Sequence, residues 1–480
     1  MKNTFTKLLS LVLVAVFCLG TLASCGGGKK DDGENPILVG NTAATTGAMA
    51  GIGGPFKLGL ESAFNAYNKA GGFNGRPVKL KHYDDGGETG NASTLLGDLI
   101  HTDNVFAIVG HFGSYAVDAT LETLIDEEVP MIYAAAGNNE LFNESADTLG
   151  ERGIFPVQPL NEPEGRMLIL RAFAPIDKGG LGATKVGVIY NSNEASQALY
   201  RGIQKEMANL TEEQRNNILP QEVNTSDYST AINKLKADGY DTVIVTVIGD
   251  DFYNVLTTMA NVNYRCNVLT TYNNSSAAKF NDANNKLQSQ YESVFQTVNL
   301  FAQAWLDITA SDYVYKKPDE PLYNAYKALA LVYQKDENGK NVEVGFPGFT
   351  EEYWEVAEDI YDYVSTVDPA QAFAMSCDAY ALAGYIAGDL FCQALEELEK
   401  SEKELTRENL IDILESKEYK IAMANTLSFA NGMRSGVQHF ALTCIYDAYN
   451  IDPTKYSHGA SSATVDGLKS IEEYRALLQK

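Results

Sequence analysis

The sequence predicts an α/β protein of two similar lobes, each built around a parallel β-sheet. Short apolar segments alternate with amphipathic helices over residues 37–133, and the same alternation begins again over residues 185–270. This alternation is typical of βαβ units, in which the strands run parallel. Residues 156–164, which are rich in Pro and Glu, separate the two runs and mark the predicted boundary between the lobes.

The first run begins with a strand and a helix that are both well marked. On the helix, Phe56, Leu60 and Phe64 recur at intervals of four residues and therefore share one apolar face. The following glycines, Gly71 and Gly72, are expected to end it. The predicted strands of this run are 37–43, 78–83, 105–109 and 129–133, and its later helices are 88–101 and 115–127.

The second run and the remainder of the chain differ in pattern. The predicted strands of the second run are 185–190, 241–247 and 266–270, and its helices are 195–208, 228–238 and 251–262. Residues 300–370 are rich in Tyr and acidic side chains, and their periodicity indicates helices without strands. Helices are expected to continue over 371–399 and 406–416, followed by two strands, 426–429 and 440–446, joined by a loop at Asn431-Gly432.

Residues 1–24 have the pattern of a secretory signal peptide, with a basic start and an apolar core too short to span a membrane comfortably. Leu22-Ala23-Ser24-Cys25 ends this segment and is typical of a lipobox, in which cleavage leaves a lipid on the sulfur of Cys25. An ordinary signal peptide with an incidental cysteine is the alternative. Residues 25–36 combine Gly with mixed charge and are expected to form a flexible tether.

The composition limits the partners of the chain. Its 63 acidic residues outnumber its 37 basic ones, which gives a formal net charge of −26. Such a chain repels nucleic acid and anionic lipid, so neither is expected as a partner. The cysteines after the lipobox, Cys266, Cys377, Cys392 and Cys444, include no CxxC pair, which argues against a zinc site or a redox motif. These four are either free thiols or members of one or two disulfides.

Three loops at the predicted carboxyl ends of strands are candidate binding segments, because ligands of open parallel sheets bind there. The first, residues 45–54, is rich in Gly but lacks the G-x-G-x-x-G spacing of dinucleotide sites, since position 56 is Phe. The second, residues 110–115, contains Ser114. The third, residues 134–140, has small side chains that leave space for a ligand, although a plain strand-to-helix turn has the same composition.

Ser114 is the candidate binding residue of the second loop and has three interpretations. It could cap the helix that follows, and its hydroxyl and the neighbouring amides could instead hold a carboxylate. A catalytic nucleophile is the third interpretation, but the G-x-S-x-G pattern fails because Phe stands at position 112. The first two roles are compatible with each other.

Several segments together resemble the leucine/isoleucine/valine-binding proteins of ABC transporters, which are type I periplasmic binding proteins. These segments are Thr46-Gly47, Asn68-Lys69-Ala70-Gly71-Gly72-Phe73-Asn74-Gly75, Tyr83-Asp84-Asp85, and Val109-Gly110-His111 leading to Ser114. The resemblance runs from Ile37 to about Tyr272, weakens, and returns near the C-terminus. It implies two Rossmann-like lobes with parallel sheets, joined by a hinge that closes on a ligand.

The resemblance also implies a ligand site on the first lobe. In the family, the residues at the positions of Ser114, Ala136 and Gly137 bind the α-carboxylate and the ammonium of an amino acid. The loop around Ser114 would bring Gly113 and Tyr115 to the same ligand. Gly137 departs from the family, which usually has Ser or Thr there, so one hydroxyl contact is expected to be lost.

On the second lobe the family normally supplies an acid that pairs with the ammonium of the ligand, and Tyr272 occupies that place. A buried ammonium without a carboxylate would be costly. Either Asp250, Asp251 or Glu194 replaces the acid, or the ligand is not an α-amino acid. Ile52 stands where an aromatic side chain often lines the pocket of the family.

The resemblance divides the chain into two discontinuous lobes. The first lobe is expected to comprise residues 37–158 and 300–425, with an insertion at about 305–370. The second lobe is expected to comprise residues 159–299 and 426–480.

The expected function is that of an extracytoplasmic solute-binding lipoprotein on the outer face of the cell membrane, with an ABC transporter permease as its partner. No cofactor and no enzymatic activity are expected. A ligand-sensing receptor subunit of the same fold and a surface hydrolase that uses Ser114 and His111 are the alternatives.

Overall fold

The computed structural model describes residues 35–282, 286–308, 322, 349–451 and 458–478. The predicted signal peptide, Cys25, nearly all of the tether and much of the insertion at 305–370 lie outside the described residues.

The described strands and helices alternate, and residues 154–155, 218–222 and 418–420 form strands that were not predicted from the sequence. The strands are β1 (Ile37–Ala43), β2 (Val78–Asp84), β3 (Ala107–Phe112), β4 (Met131–Ala135), β5 (Ile154–Phe155), β6 (Val186–Tyr190), β7 (Ile218–Glu222), β8 (Thr242–Val245), β9 (Asn267–Thr270), β10 (Asn299–Ala304), β11 (Glu418–Lys420), β12 (Thr426–Ser428), β13 (His439–Asp447) and β14 (Ala460–Ser470). The α-helices are α1 (Ala50–Ala70), α2 (Thr89–His101), α3 (Ser114–Asp126), α4 (Leu149–Arg152), α5 (Asn161–Phe173), α6 (Glu194–Met207), α7 (Glu212–Asn216), α8 (Ser229–Ala237), α9 (Asp250–Asn261), α10 (Ser289–Thr297), α11 (Glu351–Val367), α12 (Ala372–Ser376), α13 (Ala379–Lys400), α14 (Arg407–Glu415), α15 (Ala448–Ile451) and α16 (Ile471–Leu478).

The first lobe contains a parallel sheet in the strand order β2-β1-β3-β4-β5. Its central strands are almost continuously apolar because helices cover both faces of the sheet, and every residue of β3 is buried. The chain turns to one side of β1 to form β2 and then returns to the other side to form β3. The crevice between the carboxyl ends of β1 and β3 is therefore the switch point of this sheet, where ligands bind in open α/β folds.

The second lobe contains a larger sheet in the order β14-β13-β10-β9-β8-β6-β7. The strands from β6 to β10 are parallel to their neighbours, whereas β13 runs antiparallel to β10, and β14 runs antiparallel to β13. The antiparallel edge was not predicted as part of this sheet, and β14 and α16 were not predicted at all. Together with the first sheet, this arrangement confirms the predicted α/β fold of two lobes.

Two of the expected lobe boundaries differ from those in the structure. The expected first lobe resumed at residue 300, but residues 299–304 form β10 and pair with β9 and β13 of the second sheet. The expected second lobe resumed at residue 426, but β12 pairs with β11, and Phe429 and Val437 are part of the first-lobe core. The two strands predicted at 426–429 and 440–446 are both present, as β12 and β13, but they lie in different sheets. The pairing of β10 with β13 joins strands that are remote in sequence, so the local pattern could not reveal it.

Three of the cysteines after the lipobox are free thiols. Those of Cys266 and Cys392 are buried, and that of Cys444 is half-buried. The thiol of Cys377 is exposed and lies 3.4 Å from the carbonyl oxygen of Phe373.

The first lobe is held together by a close crossing of α1 and α13. A Cβ atom added at Gly59 would lie 1.8 Å from the carbonyl oxygen of Ala381, and one added at Gly384 would lie 1.9 Å from that of Phe56. Glycine at these two positions lets the helix backbones touch, and this contact joins two distant segments of the chain into one core.

We expect Gly384→Ala to lower the free energy of unfolding by about 1–3 kcal/mol, because the added methyl group must push the two helices apart. Urea-induced unfolding followed by circular dichroism measures the change. Gly97→Ala is the matched control, since Gly97 lies inside α2 with no atom within 4 Å of an added Cβ. It should stabilise the protein by about 0.5–1 kcal/mol. Equal effects of the two substitutions would contradict the helix contact.

Candidate functional site

The loops at the carboxyl edge of the first sheet form one wall of the candidate site. Because β1, β3 and β4 are neighbouring parallel strands, the segments after them lie side by side, and the N–H of Gly113 donates to the carbonyl oxygen of Ala135 at 3.2 Å. The predicted residues Gly113, Ser114, Tyr115, Ala136 and Gly137 are thereby brought together.

Ser114 is the first residue of α3 and is exposed. The N-cap is Gly113, at φ 97°, and no side chain caps this helix, so the interpretation of Ser114 as the cap is wrong by one position. The hydroxyl of Ser114 makes no hydrogen bond within the described part of the chain. It is therefore available to a ligand at the switch point of the sheet.

His111 is fully buried and does not contact the hydroxyl of Ser114. Its Nε2 lies 2.9 Å from Oγ1 of Thr120, whose hydroxyl donates to the carbonyl of Ala116, so Nε2 is the protonated nitrogen. Its Nδ1 lies 3.4 Å from Oγ1 of Thr42. Burial lowers the pKa of His111 to about 4. This neutral, fully engaged imidazole cannot activate Ser114, which removes the basis of the hydrolase alternative.

Tyr115 is fixed over the end of the sheet. Its hydroxyl donates to Oδ1 of Asp85 at 2.7 Å, and the backbone N–H of Gly87 donates to the same oxygen at 2.9 Å. Burial, together with the charge of Asp85, raises the pKa of Tyr115 well above its usual range. A Cβ atom at Gly113 would lie 2.4 Å from the Tyr115 ring. Glycine at position 113 therefore permits the ring position, and Tyr115 can offer a ligand its ring but not its hydroxyl proton.

The third loop explains why Gly stands at position 137. A Cβ atom there would lie 2.6 Å from Oδ1 of Asn161, the first residue of α5, whose backbone N–H donates to the carbonyl of Gly137 at 3.1 Å. The Ser or Thr that the resemblance implies would therefore collide with the first crossover between the lobes. Ala136, beside it, is buried.

Tyr272 does not occupy an open position on the second lobe. Its hydroxyl donates to the carbonyl of Pro159 at 3.3 Å, and its ring packs against the first-lobe core. Its backbone N–H donates to Oε1 of Glu164 at 2.7 Å. Tyr272 thus bridges the lobes at the first crossover. The acid expected at this position would instead have faced the ligand.

The remaining predicted residues make no hydrogen bond to the Ser114 wall in the described part of the chain, although Glu194 lies near enough for its charge to act on Asp118. Glu194 begins α6 and pairs with Arg201 at 2.6 Å, whereas Asp250 begins α9 and is exposed. Asp251 accepts a hydrogen bond from Asn191 at 3.3 Å. Ile52, on α1, is half-buried against the first-lobe core. No hydrogen bond among the described residues joins any of these four side chains to Ser114.

Two polar residues beside Ser114 were missed from the sequence. Asn138 donates from Nδ2 to the carbonyl of Ser114 at 3.3 Å and also to Oδ1 of Asp118. Asp118 lies four residues after Ser114 on α3, so the two share a helix face. That spacing was readable from the sequence, but the contact from Asn138 was not, because it comes from another loop.

Two surface cavities lie elsewhere. One, of about 250 Å³, has Asp241 and Arg265 in its wall, and the other, of about 520 Å³, lies between Ile176 and Val465. Neither wall contains a predicted site residue, so the candidate site remains the edge that carries Ser114.

A family model described as "Periplasmic binding protein" matches residues 36–330, which is more than half of the chain. The chain belongs to the periplasmic binding protein family. This membership confirms the resemblance that the sequence indicated and the prediction that the chain is not an enzyme. Proteins of the family act outside the cytoplasm. No helix among the described residues is both long and apolar enough to cross a membrane, and no cluster there of three or more His, Cys, Asp or Glu side chains could hold a metal ion.

Individual relatives agree with this membership. An "Amino acid binding protein" of Pseudomonas aeruginosa is 26% identical over 250 residues, which are 50% of this chain and 59% of the relative. The chain thus spans about three fifths of the length of that relative.

Solved structures share the fold of this periplasmic binding protein. An ABC transporter substrate-binding protein from Sphaerobacter thermophilus has a TM-score of 0.62 at 17% identity, with 91% of this chain and 98% of the other covered. A fatty acid ABC transporter substrate-binding protein from Thermomonospora curvata has a TM-score of 0.59 at 14% identity, with 92% and 94% covered.

Glu164 of this binding protein is a buried acid that the sequence did not single out. Its two carboxyl oxygens accept hydrogen bonds from the Tyr272 N–H and, at 2.8 Å, from the hydroxyl of Thr271. No basic side chain among the described residues pairs with it. Burial raises the pKa of Glu164 to about 8, although both hydrogen bonds oppose the shift. Its carboxyl group is therefore mostly protonated at neutral pH.

This raised pKa predicts a pH dependence of stability. The folded protein holds the proton more tightly than the unfolded chain does, since the ordinary pKa of Glu is 4.5. The resulting stabilisation is complete below pH 4.5, decreases as the pH rises from 4.5 to 8, and is absent above pH 8. We expect it to be on the order of a few kcal/mol.

Glu164→Gln should flatten the fall in the free energy of unfolding between pH 5 and pH 8, because glutamine cannot titrate. Urea-induced unfolding at each pH measures this slope. Glu213→Gln, at an exposed position on α7, is the control and should keep the slope of the wild type. An unchanged slope in Glu164→Gln would rule out Glu164 as its source.

Proposed function

We propose that this chain is an extracytoplasmic solute-binding lipoprotein of an ABC transporter. It captures an amino acid or a related small carboxylate in the cleft between the lobes, and the hinge closes on the ligand. The observation that carries the proposal is the free hydroxyl of Ser114, which stands exposed at the first residue of α3 and at the switch point of the first sheet.

The first turn of α3 suits a carboxylate. The first N–H groups of a helix have no acceptor within that helix, and the positive end of the helix dipole favours an anion there. The backbone N–H groups of Ser114 and Tyr115 have no acceptor among the described residues. Together with the Ser114 hydroxyl they offer three donors at one point. Ala136 and Gly137 leave room beside them, because neither has a side chain longer than a methyl group.

The comparisons support a carboxylate more firmly than any particular ligand. One relative is called an amino acid binding protein, and one structure of the same fold is called a fatty acid substrate-binding protein. The carboxylate is the polar group that an amino acid and a fatty acid have in common. The donors at Ser114 match that shared group, so specificity for one carboxylate over another must come from the rest of the pocket.

The proposed attachment to the membrane rests on the sequence. The lipobox that ends in Cys25 would leave a lipid on its sulfur, and residues 25–36 would tether the folded lobes to the membrane surface. In that position the protein would deliver its ligand to the permease of the transporter.

A ligand that binds only the folded protein should stabilise it by about 2.7 kcal/mol at a concentration one hundred times its Kd. Thermal unfolding in the presence of each of the twenty amino acids, small carboxylates, amides and aromatic acids measures the effect. We expect at least one of these compounds to raise Tm in a concentration-dependent manner.

Ser114→Ala should weaken the binding of that compound about tenfold, because a hydrogen bond to a charged group is lost. Ser289→Ala is the matched control, since Ser289 is also the exposed first residue of a helix, α10. It should bind as the wild type does. If no compound of the panel shifts Tm, the proposed function is wrong.

A further inference from the structure

We propose that Asp118 is the carboxylate that receives the ammonium group of the ligand, and that the ligand is therefore an α-amino acid rather than a simple carboxylate. This inference rests on the proposed function and specifies its substrate class. It places the ammonium partner on the first lobe, one helical turn from Ser114, instead of on the second lobe, where Tyr272 stands.

The spacing of Ser114 and Asp118 fits both charged groups of one α-amino acid. The two residues are four positions apart on α3, and both are exposed. Side chains at this spacing share a helix face, with their Cβ atoms about 5–6 Å apart. In an α-amino acid one carbon separates the carboxylate from the ammonium. One such molecule can therefore direct its carboxylate to Ser114 and its ammonium to Asp118.

Asn138 supplies an independent observation, because one of its side-chain atoms is a buried acceptor without a donor. This side chain is only 4% exposed. Its Nδ2 faces two acceptors, the carbonyl of Ser114 and the carboxylate of Asp118, which fixes the orientation of the amide. Its Oδ1 is buried and has no hydrogen-bond partner among the described residues. Buried polar atoms are nearly always paired in folded proteins, so the vacant oxygen calls for a donor. An ammonium has three donors, enough for Asp118 and Oδ1 together.

The charges around Asp118 also favour a cation. No basic side chain forms an ion pair with Asp118 or with Glu140 among the described residues. Burial raises the pKa of Asp118, the hydrogen bond from Asn138 opposes this shift, and the negative charges of Glu140 and Glu194 add to it. Glu194 belongs to the second lobe, so negative charge reaches Asp118 from both walls. A positively charged group bound there would relieve this repulsion.

The alternative role for Asp118 is structural, in which it only holds Asn138 against the Ser114 turn. A structural residue would affect all ligands alike, whereas a partner of the ammonium affects only ligands that carry one. The test therefore compares each amino acid with the acid of the same carbon skeleton that lacks the amine.

The probes are three pairs: L-leucine with 4-methylpentanoate, L-phenylalanine with 3-phenylpropanoate, and L-glutamate with glutarate. Isothermal titration measures their Kd for the wild type, for Asp118→Asn and for Glu122→Gln. Glu122 is the matched control, an exposed acid one further turn along α3. We expect the wild type and Glu122→Gln to prefer the amino acid of at least one pair by about tenfold or more. Asp118→Asn should lose most of that preference, with little change for the acid that lacks the amine.

Three results would overturn the inference. A wild-type protein that binds the deaminated acid as tightly as its amino acid excludes an ammonium site. A preference that survives in Asp118→Asn leaves the proposed function intact but removes Asp118 from this role. If no probe binds the wild type, the inference fails, and the broader panel then decides the proposed function separately. Should Asp118→Asn not fold, Asp118→Glu keeps the charge and must keep the preference for the amine.

Discussion

The junction around Glu164 determines how the two lobes meet. This residue lies in the first turn of α5, just after the chain has left the first lobe, and its carboxyl group holds the Thr271-Tyr272 turn at the end of β9. Its backbone carbonyl accepts a hydrogen bond from Gln303 at 3.1 Å, one residue before β10 ends and the chain returns to the first lobe. One buried residue thus connects two crossovers with the second-lobe loop that faces the cleft. An apolar replacement would leave the N–H of Tyr272 without an acceptor, which is the costly way to break a buried hydrogen bond.

The wall that carries Ser114 is held rigidly by a network of polar hydrogen bonds among β1, β2, β3 and α3. Asn41 on β1 joins the carbonyl of Gly110 to Nδ1 of His82, and His111 joins β1 to α3. Burial lowers the pKa of both histidines to about 4, so the network remains uncharged at neutral pH. A prearranged wall spends little free energy on ordering when a ligand binds. In the proposed capture, most of the movement is then left to the hinge and to the loops of the second lobe.

The sequence was sufficient for the central parallel strands of both sheets. The alternation over residues 37–133 and 185–270 predicted the parallel core of both sheets, whereas the pairing of β10 with β13 was not predicted because the two strands lie more than a hundred residues apart. The Ser114 wall could be predicted, since carboxyl ends of parallel strands meet at one edge. The glycine at position 137 could not be explained from the sequence, because the side chain that excludes a larger residue there is Asn161, in a later segment. Tyr272 stands where the sequence suggested a lost acid, but the structure shows that its hydroxyl donates to the carbonyl of Pro159. Long-range packing, and not local pattern, decided each of these cases.

The close crossing of α1 and α13 has a consequence for biogenesis. The first-lobe core needs segments far apart in the chain, as the contact of Asn74 with Glu399, 325 positions apart, illustrates. A ribosome therefore releases most of the polypeptide before this lobe can complete its hydrophobic interior. Topologies dominated by such distant contacts fold slowly. For a protein proposed to be exported, this order of synthesis leaves the first lobe incompletely folded until α13 has been made.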